Sequence, residues 1–181
     1  MTNTPGNGST GSRSPQEDRQ AIHDALLRYC RGVDRLDPAL VQSAYHADAV
    51  DEHGPYKYTG ETVGAELVKR LGSDYRATSH MILNHTVQLA GDVARTETYY
   101  VAVMAEEKGD DTDLVTTVFG RCLDRFEYRG EWRIARRAVL IDWATVSEQQ
   151  LLDNEHFDPA APWMGRRSTL DPSYGHLSAE E

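Results

Sequence analysis

The sequence is short of the residues on which most recognisable chemistries are built. It holds two cysteines, Cys30 and Cys122, in 181 residues. They form no Cys-x-x-Cys pair, and no His-Glu-x-x-His, Walker loop or Gly-x-Ser-x-Gly occurs. No metal and no cofactor is therefore expected. Both cysteines lie inside apolar patterns, and two free thiols without an export signal point to a reducing cytoplasm. Positive charge is also scarce: Lys and Arg number 19 against 29 Asp and Glu, a formal net charge of -10. That balance argues against nucleic acid and against an anionic membrane surface as partners. No run approaches the ~18 apolar residues of a membrane-spanning helix. The N-terminus has no apolar core of a signal peptide, so no secretory signal is expected.

What is present suits a single globular domain with loose ends, since hydrophobic residues make up 39% of the chain. Residues 1–15, rich in Gly, Ser, Thr, Asn and Pro, read as a disordered leader. From Gln16 to Val33 the residues Ile22, Ala25, Leu26, Tyr29, Cys30 and Val33 recur at helical spacing, with Gly32 weakening the end. Asp37-Pro38 is an N-cap followed by proline at the first helical position, so a second helix is expected from there to near Ala47. A strand over Ala49–His53 and a turn at Gly54-Pro55 come next, and Tyr56–Thr59 could pair back. A third helix is expected over Glu61–Leu71, ended by Gly72.

After Arg76 the period changes from helical to alternating. Strands are expected over Thr78–Leu89, Val93–Glu106, Leu114–Tyr128 and Trp132–Val146, with a charged loop at Glu107–Asp113 and otherwise hairpin-length joins. Helices first and long antiparallel strands afterwards imply an α+β domain over 16–146, with helices packed on one face of a strongly curved, mostly antiparallel sheet. Such a cone-shaped α+β barrel encloses a pocket suited to a small hydrophobic molecule. Residues 147–181 form a C-terminal extension with Leu151, Leu152, Phe157, Trp163 and Met164. They could make a short helix and a strap over the pocket mouth or a neighbouring subunit, or a loosely ordered tail.

Two ionisable residues stand out. His80 lies in Ala77–Asn84, a run that otherwise reads as a buried strand, and Asp34 closes the first helix. A histidine has an ordinary pKa of ~6.5, which suits proton abstraction at neutral pH, and a carboxylate on its second ring nitrogen would fix its tautomer. Strand alternation puts Ile82 and Asn84 on the His80 face and turns Met81, Leu83 and His85 away. The bland readings are a solvated helix-end aspartate and a structural strand histidine.

Three patterns in order resemble the SnoaL-like branch of the nuclear transport factor 2-like superfamily, over about Arg19 to Val146. They are Arg28-Tyr29-Cys30-Arg31-Gly32-Val33-Asp34, then Tyr45-His46-Ala47-Asp48-Ala49-Val50, then Gly120-x-x-x-Asp124-x-Phe126-Glu127-x-x-Gly130-x-Trp132-x-Ile134. The branch includes scytalone dehydratase, hexachlorocyclohexane dehydrochlorinase and bile acid 7α-dehydratase, cofactor-free lyases that use an Asp–His dyad. The superfamily also holds isomerases, cyclases, epoxide hydrolases and non-catalytic members, so fold alone does not settle function.

The resemblance implies that His80 is the general base, that Asp34 orients it, and that Tyr29 donates to a substrate oxygen, although Tyr29 also fits the core stripe. His53 falls where the bile acid enzyme carries a tyrosine, so it would act as donor or acid or simply rim the pocket, with Tyr56 and Tyr58 the nearest phenols. An arginine on the last strand serves as a polar donor in these lyases. Arg136 and Arg137 alternate, and the phase relative to Trp132 favours Arg137 unless a bulge swaps them. Asn84 could orient substrate. His46, His85, Asp142 and Trp143 read as structural, and Trp132 as core. The implied function is a cofactor-independent dehydratase-type lyase acting on a steroid, terpenoid or polyketide. The alternatives are an isomerase or cyclase with the same dyad, or a non-catalytic binding or assembly domain such as an oxygenase small subunit. A homodimer or homotrimer is expected, because Val101, Val103, Phe119 and Leu123 sit on the outer sheet face.

Overall fold

The computed structural model describes residues 13–110, 112–149, 158 and 160–178. Helix α1 spans Pro15–Asp34. Ser14 caps it: its hydroxyl accepts from the Glu17 backbone N–H, and the Glu17 carboxylate takes the Ser14 N–H. Ile22, Ala25, Leu26, Tyr29 and Val33 form the buried stripe. Only the first twelve residues of the expected leader lie outside the described ones, because Ser14 and Pro15 already begin this helix.

Helix α2, Pro38–Ser43, is capped by Asp37, whose side chain accepts from Leu40 N–H. It stops short of the expected Ala47. Tyr45–His53 is strand β1, which pairs in parallel with the last strand, and this tertiary pairing overrides the local helical signal. Gly32 does more than weaken α1. A Cβ there would meet the Cγ2 and backbone nitrogen of Val41 at 2.7 Å, so only glycine lets α2 cross this close. Strand β2, Tyr56–Thr59, pairs back on β1. Helix α3 runs over Val63–Asp74, later at both ends than expected, with Gly72 inside it.

Strands β3 (Ala77–Ala90), β4 (Val93–Asp110), β5 (Thr112–Tyr128) and β6 (Trp132–Gln149) complete a six-stranded mixed sheet in the order β2-β1-β6-β5-β4-β3. The sheet is open and curved, and the three N-terminal helices cover its concave face. The α+β cone expected from the sequence is the fold. In place of the expected charged loop Glu107–Asp113, β4 runs to Asp110 and β5 begins at Thr112, with those two residues paired; Asp111 lies outside the described residues. Backbone ladders do not require apolar side chains, so the charges marked no boundary. Asp113 is itself buried and ion-paired with Arg76. Register shifts at Ile82/His85, Phe119/Gly120 and Arg125/Phe126 bend the long strands.

Within the C-terminal extension, Leu151, Leu152 and Phe157 lie outside the described residues. The described part ends in a short helix α4, Pro172–Ser178. It lies against the C-terminal end of α1 and the N-cap of α2: Tyr174 donates to Asp37 at 2.7 Å, Arg31 stacks on the Tyr174 ring, and Arg35 sits 3.6 Å from Asp171, just before α4.

Candidate active site

Asp34 is the last residue of α1 and His80 the fourth of β3, and helix packing on the concave face brings them together. Asp34 Oδ1 lies 2.7 Å from His80 Nδ1. Its Oδ2 accepts the His80 backbone N–H at 2.8 Å, and its Oδ1 also accepts the Thr78 hydroxyl at 3.0 Å. An ionised carboxylate only accepts, so Nδ1 is the ring donor, and in the neutral imidazole the lone pair is on Nε2. Behind Thr78 stands Arg167 from the C-terminal segment, which donates to the Leu71 carbonyl at 3.0 Å, to the Tyr75 carbonyl, and to Thr78 Oγ1 at 3.3 Å. A guanidinium cannot accept, so the Thr78 proton is committed to Asp34. Arg167 of the C-terminal extension therefore lies behind the carboxylate, and none of the extension's described residues lines the cavity, so none of them forms a strap over its mouth.

His80 lines a cavity of ≈ 200 Å³ between the helices and the sheet. Its walls are mainly apolar, with Leu26, Leu67 and Leu71 from the helices and Ile82, Val118 and Val139 from the sheet. Cys30 and Cys122 also face it, and burial pushes both thiols up to about 12, so neither is a nucleophile at neutral pH.

On the wall away from His80 a second polar group is built into β1, β5 and β6. Arg137 is buried and holds Asp124 through two 2.8 Å bonds. Burial works against the Arg137 charge, but the Asp124 carboxylate outweighs it and holds the guanidinium above its ordinary value. Arg137 also donates to the Tyr45 hydroxyl at 3.2 Å, and Tyr45 donates to Asp51 Oδ2 at 2.6 Å. Asp51 Oδ1 stands 3.4 Å from His53 Nδ1, an ion-pair separation without hydrogen-bond geometry. Burial of Asp51 favours its neutral form, yet His53, Arg137 and Tyr45 together hold its carboxyl below the usual range.

The remaining sequence candidates fall on both sides of the sheet. Tyr29 is buried in the cavity wall with the Arg137 guanidinium 4.4 Å from its ring centre, and burial keeps it a neutral phenol. His53 and Tyr56 line the mouth, and Arg70 lies 3.9 Å over the Tyr56 ring. Arg137 faces in and Arg136 faces out to Glu52 at 3.1 Å. The reason differs from the expected phase: Trp132 and Ile134 are also buried, and strict alternation would have carried Arg136 inward. The register shift after Ile134 inserts Ala135 and turns Arg137 in instead. Asn84 is not brought to the site. The shift between Ile82 and His85 leaves Asn84 exposed and turns His85 inward, where it stacks on His23 of α1 with ring centres 5.6 Å apart.

Thr78, Asp51 and Tyr45 were missed, although Thr78 precedes His80 by two and Asp51 precedes His53 by two on a strand, the spacing of a shared face. Asp124 lay inside a quoted pattern without a role. Nothing local marks Arg70 or Arg167. Among the described residues, no group of three or more His, Cys, Asp or Glu is arranged to hold a metal ion, and no helix is long and apolar enough to cross a membrane.

The profile of the SnoaL-like domain family matches residues 15–138. No curated protein matches the chain. Among solved structures, hexachlorocyclohexane dehydrochlorinase LinA-type3 from Novosphingobium barchaimii is 16% identical, with 75% of this chain and 94% of that one covered at TM-score 0.66. The Kfla4162 protein from Kribbella flavida is 19% identical over 73% of this chain and 95% of that one, also at TM-score 0.66. A protein from Novosphingobium aromaticivorans, provisionally assigned as a scytalone dehydratase, is 18% identical over 75% and 89%, at TM-score 0.62. At such identities these likenesses concern the fold.

Proposed function

The chain belongs to the SnoaL-like domain family, and we propose that within it this protein is a cofactor-independent lyase of the dehydratase type. The observation that carries the reading is the 2.7 Å contact of Asp34 with His80 Nδ1 in the wall of an apolar cavity. His80 Nε2 takes a proton from a carbon beside an electron-withdrawing group. Asp34 holds the ring in the tautomer that leaves Nε2 free and stabilises the imidazolium that forms. The C–H electron pair becomes the new double bond, the C–O bond breaks, and the leaving hydroxyl takes a proton from His53, acting as the acid, to depart as water. Tyr29 and Arg137 supply a phenol and a fixed positive charge for the developing oxyanion.

At ≈ 200 Å³ the cavity lies below the ~300–1,000 Å³ of drug-sized ligand sites. That favours a compact terpenoid or polyketide alcohol over an intact steroid. The protein is proposed to work in the cytoplasm as a homodimer or homotrimer. Exposed Leu123, Leu140 and Trp143 on the outer sheet face support the self-association.

The test is solvent exchange. Hydrophobic β-hydroxy carbonyl compounds are incubated with the protein in deuterium oxide and followed by NMR and mass spectrometry. The expected result is deuterium at the carbon next to the carbonyl and loss of water, both abolished in His80→Ala. Exchange without loss of water would assign an isomerase or cyclase that uses the same base. Tight binding without exchange would assign a ligand-binding domain.

A further inference from the structure

The charged groups of the cavity are paired with one exception. Asp34 is paired with His80, Asp51 with His53, and Arg137 with Asp124. Arg70, in the last turns of α3, also lines the cavity and has no carboxylate within ion-pair distance among the described residues. Its helix neighbours at the right spacing, Glu66 and Asp74, do not reach it, and Asp74 Oδ1 is taken by the Ser73 hydroxyl at 2.7 Å. The Arg70 Nε is buried and has no hydrogen-bond partner. The guanidinium is nonetheless held in place, stacked 3.9 Å over the ring of Tyr56 at the mouth. In a chain of net charge -10 this is a braced cation with an open donor edge.

We infer that Arg70 anchors an anionic group of the ligand at the cavity mouth, and that the natural ligand is a compact amphipathic acid with an apolar body inside and a carboxylate at the rim. A planar fork of N–H donors matches a carboxylate in two parallel bonds. One guanidinium stacked on the ring of Tyr56 balances a single negative charge, and a phosphate dianion would leave one charge unmet. The inference rests on the lyase reading for what happens deeper in. The carboxylate at Arg70 is a handle remote from the reacting carbon, and the electron-withdrawing group that acidifies the C–H lies at the His80 end. It adds a selection rule: hydroxy acids of this shape are preferred over neutral alcohols of the same size.

The test uses the full chain and two soluble probes of equal size, 4-phenylbutyrate and 4-phenylbutanol, with binding read by calorimetry and by NMR. The acid is expected to bind about tenfold tighter than the alcohol, with the difference shrinking as salt is raised. Arg70→Gln should remove that advantage and leave the affinity for the alcohol unchanged, while Arg70→Lys should restore part of it. Equal binding of the two probes, no binding of the acid, or an advantage that survives Arg70→Gln would overturn the inference. The readout needs no turnover. His80→Ala should keep the advantage of the acid over the alcohol whatever it does to proton exchange, so a failed lyase reading and a failed Arg70 anchor give separate results.

Discussion

Arg137 and Asp124 face each other across neighbouring strands through two parallel 2.8 Å bonds, with side-chain exposures of 1% and 0%. Both side chains are shut off from solvent, so each charge depends on the other, and the pair supports Tyr45, Asp51 and the polar wall of the cavity.

Asp124→Asn is therefore expected to cost about 3–5 kcal/mol of folding stability, because it strands a buried guanidinium. Urea unfolding of the variant measures this directly. A cost under about 1 kcal/mol would mean that solvent reaches Arg137.

Replacing either member of the Asp34–His80 pair should lower proton exchange by about 10²–10⁴-fold. The two variants differ in kind. His80→Ala removes the base. Asp34→Asn keeps the base but offers an amide N–H where the ring proton now points, which favours the wrong tautomer. Exchange rates together with the imidazole nitrogen spectrum of Asp34→Asn separate the two effects.

Arg167→Gln should loosen the donor that commits the Thr78 hydroxyl to Asp34, with a loss of exchange of roughly tenfold or less, smaller than that of His80→Ala. Arg166, exposed and bonded through its backbone N–H to Asp171, is the control and should be silent when changed to Gln. Equal effects of the two changes would deny Arg167 its place behind the carboxylate.

His85 is held below its ordinary value, first by burial and then by the charge of His23, whose Nδ1 is 3.4 Å from its own. The unfolded chain binds a proton here near the ordinary value of ~6.5, and the folded chain only at lower pH. The associated stability is thus full above that value and is lost as pH falls through it toward the folded one. His46, lowered first by burial and next by Arg129, acts in the same direction. Urea midpoints at about pH 7.5 and about pH 5.5 should differ less in His85→Gln than in the wild type.

Trp143 stacks on Phe119 at 3.8 Å on the outer face and is 53% exposed. Trp143→Glu should shift sedimentation toward smaller species if that face joins copies of the chain. An unchanged distribution would place the interface elsewhere.

Much of this protein was legible in one dimension. The shift from helical to alternating period at Arg76 marked an α+β fold, and the helix-end aspartate and strand histidine marked the candidate pair. These signals are local: apolar spacing, caps and short turns act between residues a few positions apart. The positions of Arg137, Arg136 and Asn84 were set differently. Each follows a single-residue register shift, and one inserted residue reverses every side chain after it, so inward and outward were decided only when β3 met β4 and β6 met β5. Tyr45 shows the same limit, since its helical surroundings gave way to a parallel pairing with β6, where Tyr45 is opposite Ile134. The sequence by itself determined which elements form and which ionisable residues were candidates for chemistry. Only the tertiary structure decided which charges are paired, that Arg167 stands behind the Asp34 carboxylate, and that Arg70 faces the cavity with no carboxylate partner among the described residues. Those facts depend on contacts between segments whose separation along the chain leaves no periodic trace.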